Sequence, residues 1–131
     1  MTGYIIDDSV LVAGLTGAGK EHHHRELSRL LHGAIDGGPA LDAPALCLTT
    51  AAEVRPAIVG HVADLVAAAP PGAIDICGLS RTGFLDALRA FHPGLSWPAI
   101  HAAVHALATG LPVLTTEPER YVRLGINSLR L

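Results

Sequence analysis

The stretch Gly3-Tyr4-Ile5-Ile6-Asp7-Asp8-Ser9-Val10-Leu11-Val12 holds the key to the fold. Gly3 to Asp7 reads as a short buried strand that ends in an acid. Asp8-Ser9 then supplies a helix cap, and Val10 to Leu15 begins a helix or continues the apolar run. A strand handed straight to a helix is the opening of a βα unit. The rest of the chain repeats that alternation.

Thr16-Gly17-Ala18-Gly19 is a break. Glu21 to Ile35 follows as a helix, because Leu27, Leu30, Leu31, Ala34 and Ile35 repeat on one face. Asp36-Gly37-Gly38-Pro39 stops it. Leu41 to Leu48 reads as a second strand interrupted by Pro44. Thr49 or Thr50 is placed to cap the next helix, which carries Ile58, Val62, Leu65 and Val66 and takes Pro56 in its first turns or as a kink. Pro70-Pro71-Gly72 ends it, and Ala73 to Cys77 is a third strand. Ser80 or Thr82 caps a helix that aligns Phe84, Leu88 and Phe91, and His92-Pro93-Gly94 breaks it. Ser96 caps the next, with Ile100, Ala103, Val104, Leu107 and Ala108 on one face and Gly110 as terminator. Leu111 to Thr115 is a strand. Thr116-x-x-Glu119 has capping-box spacing for a short helix that runs to Leu124 and stops at Gly125. Ile126 to Leu131 is the candidate edge strand.

This order predicts a three-layer α/β/α sandwich with a mostly parallel central sheet, in one domain over residues 1–131. Leu27, Leu30, Leu31, Ile100, Val104 and Leu107 are its expected core. Ligands of such sheets sit beyond the carboxyl ends of the strands. Asp7 and Glu117 fall at or just past two of those ends.

Composition narrows the function. Half of the 131 residues are apolar and 16% are charged, which excludes a disordered chain. Nine Lys and Arg against twelve Asp and Glu give a net charge of −3, which argues against bulk electrostatic binding of nucleic acid. The most apolar stretch, Trp97 to Leu114, is broken by Pro98, His101, His105, Thr109, Gly110 and Pro112. No membrane span is expected. The start Met1 to Asp8 lacks a basic segment and meets two acids at once, so it does not read as a signal peptide. Cys47 and Cys77 lie in apolar text and read as buried free thiols of a cytoplasmic protein.

Three groups of residues carry potential chemistry. Gly14 to Lys20 has the glycine and lysine spacing of a phosphate-binding loop, which would make the chain a nucleotide-binding module. Glu21 stands where that loop needs a magnesium-binding hydroxyl. His22, His23 and His24 are consecutive and fan around a helix start. His101 and His105 are i and i+4 on one face, without the glutamate of a zinc-protease motif. Their roles stay open. The third group is acidic. Asp7, Asp8 and Glu117 at strand ends could aim carboxylates at one divalent cation, or could serve as helix caps.

Tyr4 to Ala13 resembles the opening of PIN domains, the fold of VapC-type toxin ribonucleases. Ala43-Pro44-Ala45-Leu46-Cys47-Leu48 resembles their second strand. His105 to Glu117 resembles their late helix and fourth strand. The resemblance implies Mg²⁺ or Mn²⁺ bound by a cluster of acids that cuts single-stranded RNA. It also implies a homodimer and a small antitoxin-like protein as partner. Asp7 takes the first acid and Ser9 the hydroxyl after it. Glu117 takes the last acid, preceded by Thr115, and Asp8 adds a carboxylate. Thr50 and Ala99 stand where two further acids belong, and Glu53 is displaced from the first of these positions. A site reduced to Asp7 and Glu117 holds a metal weakly or not at all. The expectation is a degenerate PIN-like domain, its nuclease activity reduced or lost, retained for binding RNA or a partner protein. The alternative is an active metal-dependent ribonuclease that uses Asp7, Glu117 and Asp8 or Glu53.

Overall fold

The computed structural model describes residues 3–131; Met1 and Thr2 of the N-terminal reading lie outside the described residues. Five strands form one all-parallel sheet: β1 (Gly3–Ile6), β2 (Ala40–Pro44), β3 (Ile74–Cys77), β4 (Val113–Thr115) and β5 (Ser128–Arg130). Their spatial order is β3-β2-β1-β4-β5. The chain steps outward from β1 to β2 and β3, then returns to the other side of β1 for β4 and β5. The gap between the carboxyl ends of β1 and β4 is therefore the topological switch point, the usual binding crevice of open parallel sheets.

Six α-helices cover the sheet: α1 (Asp8–Leu15), α2 (Glu21–Ile35), α3 (Ala45–Val54), α4 (Ile58–Ala68), α5 (Thr82–Phe91) and α6 (Trp97–Thr109). A 3-10 helix, Pro118–Leu124, joins β4 to β5. The α/β/α layering is as expected. Ile5, Ile6, Val10, Leu11, Leu27, Leu31, Leu41 and Val113 are buried in the main core. Each such aliphatic side chain contributes about 1.5–3 kcal/mol on burial. Leu85, Ile100 and Val104 form a smaller cluster between α5 and α6.

Several expectations are corrected. The second strand does not run to Leu48: it ends at Pro44, and Ala45 starts α3. Pro44 holds an extended backbone (φ −61°, ψ 137°), and the Ala-Leu-Cys-Leu run that follows has good helix formers. Cys47 thus lies in a helix. Thr49 and Thr50 cap nothing; their hydroxyls donate back to the Ala45 and Leu46 carbonyls inside α3. Pro56 falls between α3 and α4. Asp7, not Asp8 or Ser9, is the N-cap of α1, accepting from the Val10 N–H. Arg81 precedes α5 in a left-handed conformation (φ 54°), in place of a Ser80 or Thr82 cap. Phe84 and Phe91 are exposed, because α5 packs on α6 through Leu85 and Leu88. Leu107 is also exposed, in the last turn of α6, while Val104 three residues earlier is buried. The Thr116-Glu119 capping box does not form: Glu117 stands at the N-cap without a side-chain bond, and the Thr116 N–H donates to Ser9 Oγ.

Candidate functional site

Asp7 follows the last residue of β1, and Glu117 follows β4 by two residues, so both reach the switch point. Asp7 is fully buried. Its Oδ1 accepts from Ser9 Oγ at 2.6 Å and from the Val10 N–H at 3.1 Å. Its Oδ2 accepts from Tyr121 Oη at 2.7 Å and lies 3.6 Å from an Arg120 guanidinium nitrogen. Arg120 donates to Asp8 at 2.8 Å and also pairs with Glu117. One guanidinium is thus shared by three carboxylates. Ser9 lies 3.1 Å from Thr115 Oγ1, and its Oγ accepts from the Thr116 N–H at 2.9 Å. These bonds stitch the carboxyl end of β1 to that of β4.

The expected residues Asp7, Asp8, Ser9, Thr115 and Glu117 therefore come together. Asp8, Ser9, Thr116, Glu117 and Arg120 line an open cavity of about 300 Å³, bordered by Ala18 and Gly19 of the first glycine loop. Thr50 keeps its hydroxyl within α3, and Ala99 is buried in the first turn of α6. Glu53 is exposed near the end of α3 and does not line this cavity.

Electrostatics follow from that arrangement. Burial raises the Asp8 carboxyl above its ordinary 3.8, Arg120 works against the rise, and the neighbouring Asp7 adds to it. For Arg120, burial favours loss of the proton, but Asp8, Asp7 and Glu117 outweigh it and hold the charge. Burial and the adjacent Asp7 push the Tyr121 phenol well above its usual range. Burial, with Asp8 and Asp7 close by, also pushes up the Cys47 thiol, whose Sγ donates to the Pro98 carbonyl.

A divalent ion needs carboxylate oxygens with free lone-pair directions. Asp7 offers both its oxygens to protein donors, and the cation among the acids is Arg120. Asp7 therefore has little left to offer a resident Mg²⁺ or Mn²⁺, and Asp8 and Glu117 are the acids that open onto the cavity. Neither Arg120 nor Tyr121 stands out in the sequence. The one available signal is their place three and four residues after Glu117, where a short helix turns them back over the strand ends.

The other motifs have separate places. The loop Gly14 to Lys20 joins α1 to α2 rather than a strand to a helix. Its glycines permit close packing: a Cβ on Gly14 would meet Leu27 at 2.5 Å, and one on Gly19 would meet the Ala13 carbonyl at 2.5 Å. His22, His23 and His24 open α2, with His23 accepting from the Lys20 N–H and His24 donating to the Gly14 carbonyl. His101 is buried, and its Nδ1 accepts from the Leu46 N–H. His105 meets Asp42 at 2.8 Å.

Among the described residues, no helix is long and apolar enough to cross a membrane. The parallel α/β architecture is compatible with a PIN-like fold. Comparison with protein-family models and with curated proteins finds no match to this chain.

Proposed function

We propose that this chain is a degenerate PIN-like domain, with ribonuclease activity reduced or lost, that works by binding a partner protein. The observation that carries the reading is Arg120 paired with Asp7, Asp8 and Glu117 at the switch point. The guanidinium supplies the positive charge that a metal would bring, and it lacks a metal's capacity to activate water. Thr50 and Ala99, at the positions where the resemblance calls for acids, support the same conclusion.

A protein partner is favoured over RNA by charge and by surface. The net charge is −3, and the carboxylates at the switch point repel phosphates. Phe91 and Val122 are among the most exposed apolar side chains. They line a cavity of about 520 Å³ with Leu95, Arg123 and Glu119, which suits an apolar segment of a partner. A small antitoxin-like protein or a second copy of the chain is the partner that the resemblance implies.

The second reading is an active Mg²⁺- or Mn²⁺-dependent ribonuclease. It is favoured by the surplus of carboxylates over the single guanidinium and by the opening of Asp8 and Glu117 onto the 300 Å³ cavity. Cleavage of single-stranded RNA by the purified chain, with Glu117→Gln and Asp7→Asn beside it, separates the two. No metal-dependent cleavage above background is the expected result. Efficient cleavage by the wild type that disappears in Glu117→Gln establishes the ribonuclease instead.

A further inference from the structure

A second constellation lies away from the switch point, where β2, β3 and α6 meet. Asp42 and Cys77 sit on neighbouring parallel strands, in a register that pairs Asp42 with Asp75 and Pro44 with Cys77. Side chains two residues apart share a sheet face, so this register turns Asp42 and Cys77 to the same side. His105, from the middle of α6, reaches down onto that side. Its Nε2 lies 2.8 Å from Asp42 Oδ2 and 3.4 Å from Cys77 Sγ, and the three donor atoms are all within 4.8 Å of one another.

Two ordinary explanations of a Cys, His and Asp group do not account for this geometry. In a nucleophile–base–acid triad, the acid orients one ring nitrogen and the other faces the nucleophile. Here both Asp42 and Cys77 approach the same nitrogen. A His–Asp ion pair explains the 2.8 Å contact and a thiol hydrogen bond the 3.4 Å one, but a single ring nitrogen cannot donate to Asp42 and accept from Cys77 at once. Three unlike donors aimed at one point are what a metal ion requires.

We propose that Asp42, Cys77 and His105 form a binding site for a borderline-soft divalent metal, Zn²⁺ by preference, with one coordination position left for water or an exogenous ligand. Thiolate, imidazole and carboxylate are all zinc ligands. At bond lengths of about 2.0–2.3 Å their atoms stand roughly 3.3–3.6 Å apart around a tetrahedral ion. The 3.4 Å separation already matches, the His105–Asp42 contact needs to open by about half an ångström, and Asp42 and Cys77 lie within 4.8 Å of each other. The thiolate selects against Mg²⁺ and Mn²⁺, which prefer oxygen. The ligands come from two strands and a helix packed on them, so the site is held by the core rather than by a loop. His105 also lines a cavity of about 200 Å³ with His101, Gly78, Ser80 and Arg81, so open space adjoins the imidazole of the site. This site is independent of the residues at the switch point.

The test is titration of the chelator-treated full chain with Co²⁺, which reports its ligands by colour. The expected result is a thiolate-to-cobalt charge-transfer band that saturates at one equivalent and is bleached by Zn²⁺ but not by Mg²⁺. The band should vanish in Cys77→Ser and weaken in His105→Asn and Asp42→Asn. It should persist in Cys47→Ser, and in His22→Ala/His23→Ala, which removes two histidines of the helix start. A folded wild type that shows no charge-transfer band, or a band that survives Cys77→Ser, overturns the proposal. Cobalt bound without a charge-transfer band, and no longer bound in His22→Ala/His23→Ala, assigns the metal to the helix start and overturns the proposal equally.

Discussion

The Tyr121 phenol donates to Asp7 Oδ2 across 2.7 Å, between two fully buried side chains 114 residues apart. It ties the 3-10 helix to the start of α1. With Ser9, Val10 and Arg120 it completes the set of donors around a carboxylate that has no contact with solvent. A hydrogen bond to a buried charged group is worth more than a neutral one, so Tyr121→Phe is expected to cost about 1.5–3 kcal/mol in urea denaturation. In a double-mutant cycle with Asp7→Asn, the two losses should be strongly non-additive, because both remove the same bond. Additive losses would show that the Tyr121 hydroxyl acts independently of Asp7.

The layers and the switch point were legible because strands ended by acids alternate with amphipathic helices, and parallel sheets follow from that order. The placement of Asp7 and Glu117 past the ends of β1 and β4 was legible for the same reason. Arg120 and Tyr121 were not, since a residue just after a site acid in a short helix carries no periodic signature. Likewise the Leu41–Leu48 reading ran on through Pro44, because a short apolar run fits a buried strand and a buried helix equally well. Asp42, inside that run, carries no signal of its own. Only the register of β2 against β3 brings it to Cys77, and register is a property of pairing.

The two aromatic residues of α5 and its leucines provide a check on that helix's orientation. Leu85 is 4% exposed and packs with Ile100 and Val104, whereas Phe91 is 82% exposed. Leu85→Ala is expected to lose about 2–5 kcal/mol, as buried leucine truncations do. Phe91→Ala should stay within about 0.5 kcal/mol. If Phe91 belongs to a self-association surface, sedimentation equilibrium will show weaker dimerisation in Phe91→Ser with unchanged denaturation. Equal destabilisation by Leu85→Ala and Phe91→Ala would mean that α5 is turned the wrong way.

Gly19 and Gly17 separate packing from backbone strain within the same loop. A Cβ at position 19 would collide with the Ala13 backbone, which cannot swing aside like a side chain. Gly19→Ala is therefore expected to destabilise by about 1–3 kcal/mol. Gly17 has open space around it but a φ of +82°. Gly17→Ala should cost on the order of 1 kcal/mol from the left-handed backbone alone. A phosphate-binding loop would behave differently: ATP with Mg²⁺ would raise the wild-type melting temperature, and Lys20→Ala would abolish the rise. No such shift is expected.

Arg120→Gln tests the functional reading most directly. The wild-type guanidinium is mostly buried and holds three carboxylates, one of them without solvent contact. Removing it leaves those charges facing one another, at a cost on the order of 3 kcal/mol near neutral pH. Glu117, about half exposed, accounts for little of that. The pH dependence has a definite sign. Asp8 is already held above 3.8 in the folded chain, and loss of Arg120 removes the force that opposes the rise. A carboxyl raised on folding destabilises most above its folded value, and the penalty fades as pH falls through that value toward 3.8. The variant's deficit is therefore expected to be fullest at pH 7 and to shrink on acidification. The freed carboxylates should also accept a metal. Mn²⁺ is expected to stabilise Arg120→Gln in proportion to the logarithm of its concentration, and the wild type far less. Equal stabilisation of both proteins by Mn²⁺ would mean that the arginine does not stand in for the ion, and the ribonuclease reading would then take precedence.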